Sequence, residues 1–98
     1  MRIEILPDAH RDLIAGFRFY ESQAPGLGNY FLDCLFADID LLAPHGGIHT
    51  RLFNYHRSLS KRFPFAIYYR LEAEAIRVRA ILDCRREPFW IRRKLRDE

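Results

Sequence analysis

Two runs in FPFAIYYRLEAEAIRVRAILDCRREPFW, residues 63–90, alternate apolar and polar side chains on either side of a short acidic turn. A period of two cannot lay an apolar stripe along a helix, so these runs are predicted to pair as a β-hairpin. Alternation puts Phe65, Ile67, Tyr69 and Leu71 on one face of the first strand, and Ala66, Tyr68 and Arg70 on the other. On the second strand it groups Ile76, Val78, Ala80, Leu82 and Cys84 against Arg77, Arg79, Ile81 and Asp83. Glu72-Ala73-Glu74 makes the turn.

The apolar face of this hairpin needs cover, and the first half of the chain offers it. Leu13, Phe17 and Tyr20, with Ala9 before and Ala24 after, recur at helical spacing. They predict a helix over about 8–23, with Asp8 able to cap it. APGLG, residues 24–28, breaks the chain, and Phe31, Leu32, Leu35, Ile39 and Leu42 begin a second period that ends at Ala43-Pro44. RIEIL at 2–6 reads as a short strand, and a further strand is expected at about 56–62. FWIRRKLRDE, after Pro88, is basic and amphipathic and suits a final helical turn or an edge strand. The expected fold is a single two-layer α+β domain over 1–98: strand, helix, helix, then a three-stranded antiparallel meander. The helical hairpin packs on one face of the sheet. The other face is left to water and carries Arg70, Arg77 and Arg79.

Charge is divided unevenly along the chain. Residues 1–49 hold three Lys/Arg against seven Asp/Glu, and residues 50–98 hold thirteen against six. All but two of the cations are arginine, the exceptions being Lys61 and Lys94. Arginine binds phosphate and carboxylate bidentately and stacks on rings, so a basic half of this kind suggests an anionic partner, either nucleic acid or an acidic protein segment. No apolar run approaches the ~20 residues that cross a bilayer, and the N-terminus lacks the apolar core of a signal peptide. The expected compartment is the cytoplasm. Cys34 and Cys84 have no metal-ligand spacing and read as reduced core thiols. His45 and His49 flank a diglycine without further ligands. No metal, cofactor or small-molecule substrate is expected.

Three segments in order resemble the RelE/ParE family of bacterial toxins, the toxic half of type II toxin–antitoxin pairs. They are FRFYESQAPGLGNYFLDCLFADIDLLAPHGG, RSLSKRFPFAIYYRL and ILDCRREPFWIRRKL, and together they cover nearly the whole chain. Distinctive within them are the Phe63-Pro64 pair running into an aromatic strand, and Arg85-Arg86-Glu87-Pro88 followed by Trp90. The tail looks more like the ParE-like, plasmid-stabilisation side of the family. The resemblance implies a toxin neutralised by a cognate antitoxin, with an acidic antitoxin tail suiting the basic half. Its implied target is DNA gyrase, inhibited by binding. The alternative is a RelE-like, ribosome-dependent endoribonuclease that cuts messenger RNA. Family members often carry a histidine where this chain has Asp83.

RNA cleavage needs a base, an acid and cations for the developing charge. The basic face offers Arg57, Lys61, Arg70, Arg77, Arg79, Arg85 and Arg86 as contacts to a target. His56 is the one candidate base, yet alternation sets it on the opposite side from Arg57. No catalytic residue is assigned, which favours a binder over a nuclease. Of the aromatic candidates, Tyr68 is expected on the arginine face and Trp90 in the core. A blander reading is that the arginines merely solvate a sheet surface. Against it, Arg70 is expected across the hairpin from Arg77 and Arg79, where like charges repel, relieved in part by Glu72 and Asp83.

Overall fold

The computed structural model describes residues 1–96. The chain runs β1 (Arg2–Ile5), α1 (Pro7–Gln23), α2 (Leu27–Asp40), the short α3 (Leu42–His45), β2 (Arg51–Leu52), β3 (Tyr55–Leu59), β4 (Phe65–Glu72), β5 (Ala75–Asp83) and α4 (Pro88–Arg96). One five-stranded sheet has the order β1-β5-β4-β3-β2. β2 to β5 form an antiparallel meander, and β1 lies parallel to β5. The expected α+β class is observed, with one added strand and a mixed rather than purely antiparallel sheet. The tail adopts the helical alternative; its last two residues, 97 and 98, lie outside the described residues.

α1 begins at Pro7, which has no N–H to leave unsatisfied in a first turn. Leu6 occupies the cap position without a side-chain bond, so Asp8 is not the cap that the sequence suggests. Asp8 sits one place inside, paired with Arg11, and reaches Arg79. The break between the helices is closed by Glu21, whose carboxylate accepts the backbone N–H groups of Gly26 (3.1 Å) and Gly28 (2.9 Å). Those are free donors at the start of α2, where negative charge is also favoured by the helix dipole. Gly26 has φ +87°, a left-handed conformation that glycine adopts without strain.

The main core lies between the helices and the sheet. Ala9 and Leu13 of α1 and Phe31, Leu35 and Ile39 of α2 meet Phe65, Ile67, Tyr69, Ile76, Val78 and Ile81. Phe63, just before Pro64, wedges between Tyr20 (4.8 Å) and Phe31 (5.1 Å). The Phe63-Pro64-Phe65 motif therefore supplies aromatic rings to the seam where both helices meet the sheet.

Two expectations about the sheet fail together. Tyr68 pairs with Ala80 and Tyr69 with Val78, leaving Arg79 as an extra residue, a β-bulge. The extra residue inverts the alternation beyond it. Ile76, Val78 and Ile81 face the helical hairpin, while Ala80 and Leu82 turn to the other side. That other side is not left to water. α4 folds back on it, and Ile91 and Leu95 pack with Tyr55, Ala66, Tyr68, Ala80 and Leu82 in a second core. Cys84 and Trp90 border this core and are partly buried, and both cysteines are free thiols.

Candidate interaction surface

The arginines of the hairpin have different fates. Arg70 and Arg77 lie directly opposite each other, as the sequence suggests. Arg77 is held by Glu4 on the neighbouring strand (2.5 Å) and by Glu72 (3.0 Å). Arg70 lies 4.2 Å from the centre of the Tyr55 ring, and its Nε donates to the Asn54 carbonyl (3.4 Å). Arg79 is 5% exposed, donating to Asp8 (3.1 Å) and to the Lys94 carbonyl (2.9 Å). The expected outward-facing cluster thus does not form. Arg79 is an internal tie between the start of α1 and the end of α4. Arg77 is half-exposed and paired with two carboxylates.

Tyr68 is also corrected. It is buried beneath α4, and its hydroxyl accepts a bond from Arg57 Nε (3.3 Å). Arg57 Nη2 reaches Cys84 Sγ (3.7 Å). Burial raises the Tyr68 phenol above its ordinary range, which keeps it neutral. Trp90 is half-buried rather than fully in the core, and the Arg86 guanidinium lies 3.8 Å from its ring centre. Lys61 lies elsewhere, beside a groove with Asp38, Leu42 and His45 on the helical side. The seven predicted cations therefore do not converge on one patch.

Asp83 and His56 are both already engaged. Asp83 accepts bonds from the Arg85 backbone N–H (2.8 Å), from Nε (3.0 Å) and from Nη2 (2.7 Å). Those bonds hold its carboxyl below the usual range, so it is ionised and occupied. His56 stacks on Tyr69 (5.1 Å, 23°), on the helical side of the sheet. Its Nδ1 lies 2.8 Å from the His49 carbonyl, an acceptor only, so Nδ1 carries the proton. His49 Nδ1 in turn meets the Tyr69 hydroxyl (2.6 Å), and burial lowers its pKa. Among the described residues, no group of three or more His, Cys, Asp and Glu is arranged to hold a metal ion.

The sequence reading missed the cations of α4. Arg92, Arg93 and Arg96 are exposed and make no ion pair among the described residues. With Pro88, Phe89 and Phe53 of the β2–β3 turn they line an open groove of about 520 Å³. The signal was present in the chain: Ile91 and Leu95, four apart, define a buried stripe, and Arg92, Arg93 and Arg96 fall off it on a helix. A second groove, about 350 Å³, runs between α1 and α4 past Gly16, Phe19, Phe65, Arg86, Trp90 and Asp12. The Asp12 carboxylate accepts the Ile81 N–H (2.9 Å), and burial pushes its pKa up to about 6. No helix among the described residues is long and apolar enough to cross a membrane.

This arrangement, a helical hairpin on one face of a meander and a C-terminal helix on the other, is a fold of the RelE/ParE toxin type. A chain of the chromosomal ParDE TA system from P. aeruginosa has the same fold, with a TM-score of 0.73 at 19% sequence identity. The match covers 83% of this chain and 92% of that one. No protein-family model matches the sequence, and no curated protein does.

Proposed function

We propose that this chain is the toxin of a type II toxin–antitoxin pair, that it inhibits its target by binding, and that a cognate antitoxin neutralises it. The fold likeness to a chain of the ParDE system carries the toxin reading. Binding rather than chemistry is supported by the state of the candidate acid–base groups. Asp83 is clamped by Arg85, His56 is stacked and bonded on the helical side, and Tyr68 is buried. None is left facing a set of free cations, as cleavage of a phosphodiester requires.

The target in this reading is a protein such as DNA gyrase. Contacts would come from Arg57 and Arg86, because Arg77, Arg79 and Arg85 are paired with carboxylates. The antitoxin would cover apolar side chains left exposed on the helical hairpin, Ile14 and Phe19 on α1 and Tyr30 and Phe36 on α2. β5 offers an edge as well. β1 pairs with it only as far as Val78, and beyond that point no strand among the described residues lies on its outer side.

Induced expression with two readouts tests the reading. Growth arrest with DNA breaks or loss of supercoiling is the expected result. Cleavage of translated messages would replace the binder by a ribosome-dependent endoribonuclease. Normal growth at high expression would end the toxin reading.

A further inference from the structure

We propose that the outer face of α4, together with the tip of the β2–β3 turn, binds single-stranded nucleic acid. Two aromatic rings stand in solvent there: Phe89 is 63% exposed and Phe53 is 38% exposed. They line the same groove as Arg92, Arg93 and Arg96. Arg92 lies over the Phe53 ring (5.6 Å) and Arg93 over Phe89 (5.2 Å). Rings alternating with guanidinium groups are what an unpaired strand needs, with bases stacking on the rings and phosphates meeting the cations.

Neither ring belongs to either hydrophobic core. α4 is anchored by Ile91 and Leu95, which point into the second core, while Phe89 points away from it. Phe53 has φ +52° and Asn54 φ +70°. Asparagine or glycine tolerates this left-handed conformation, whereas phenylalanine is strained in it. A bulky ring held at a strained turn tip and half in water is better explained by something it contacts than by packing.

The chemistry favours a single strand over the other anionic partners. An acidic peptide would use the arginines without needing the ring faces. A duplex keeps its bases stacked on each other, so the rings would find no partner. An anionic membrane would need a wider apolar face, and α4 buries its own, Ile91 and Leu95, in the second core. The surface lies apart from Asp83 and His56 and implies no cleavage; it does not depend on the toxin reading.

Fluorescence anisotropy of the full chain with labelled poly-dT and poly-U of roughly a dozen nucleotides tests this, a length within the site size of single-strand binders. Binding is expected to weaken with salt, with log K against log salt sloping by about −2 for three neutralised phosphates. Phe89→Ala and Phe53→Ala should each weaken binding about tenfold, in the range measured for lost base stacking. Phe89→Trp should restore it. Arg92→Ala with Arg93→Ala should flatten the salt slope by about 1.4. Circular dichroism of each variant should match the parent, since the residues are exposed. The proposal is overturned by any of three results. One is no binding at low salt. Another is binding that ignores both phenylalanine changes. The last is binding of a duplex or of polyglutamate as tight as that of the single strand.

Discussion

Arg79 and Asp8 are 71 positions apart in sequence and 3.1 Å apart in space, and their contact joins the bulge of β5 to the first turn of α1. The same guanidinium donates to the Lys94 carbonyl in α4, so one side chain ties together elements from both ends of the chain.

That tie makes Arg79 a stability residue. Removing a buried cation leaves its acceptors unmatched, and bonds to charged groups are worth roughly 1.5–3 kcal/mol each. Asp8 is half-exposed, which discounts its share. Arg79→Ala should lower unfolding free energy in urea by about 1–3 kcal/mol. Arg77→Ala, at a half-exposed site, should cost less than about 1 kcal/mol. Equal costs for the two variants would contradict the different environments described for them.

Asp12 gives the protein a pH dependence of defined sign. Its folded-state pKa, about 6, is raised by burial from an ordinary 3.8. Between those values the folded state holds a proton that the unfolded chain has lost, so this contribution is full below the lower value and disappears as pH rises through the upper. Asp12→Asn removes the term while keeping an oxygen for the Ile81 N–H. The variant should gain on the parent by about 1 kcal/mol between roughly pH 4 and 7, a figure reduced for partial solvent exposure. A stability difference that stays constant over that range would count against the burial argument.

Gly16 of α1 packs directly on the Phe31 ring of α2. A Cβ there would lie 2.5 Å from the Phe31 ring, and Phe31 is fully buried against Tyr20, Phe63 and Phe65. Alanine is the better helix former by about 1 kcal/mol. Overpacking costs typically 1–3 kcal/mol and should win. Gly16→Ala is expected to lower the thermal midpoint; a rise would show that the aromatic cluster can yield.

The β4–β5 turn is built from residues that strain it. Ala73 has φ +49° and Glu74 φ +61°, the two left-handed positions of a tight hairpin. Replacing the pair by Asn-Gly should stabilise the fold by about 0.5–1.5 kcal/mol without touching either core. Unchanged or lower stability in urea would mean that the turn is not strained as described.

Much of the fold is legible in the chain because it depends on local periodicity. The helical spacing of Ala9, Leu13 and Tyr20, the break at APGLG and the turn at 72–74 are each set by neighbours in sequence. The opposition of Arg70 and Arg77, with Glu72 relieving it, was equally readable, because a short turn fixes the register. The errors share one origin. Alternation counts residues and cannot see a bulge, so beyond Arg79 each side chain was assigned to the wrong face. A ten-residue tail gives too short a pattern to tell helix from strand, so the cover over Tyr68 and the outward row Arg92, Arg93 and Arg96 were both lost.

By itself, then, the sequence determined the two long helices and the β4–β5 hairpin, and that its second half is rich in arginine, because these are properties of near neighbours. Which arginines reach solvent was settled only in three dimensions. The bulge, the return of α4 over the sheet and the carboxylates Glu4 and Asp8 come from distant parts of the chain, and a guanidinium is exposed or neutralised by what folding brings beside it.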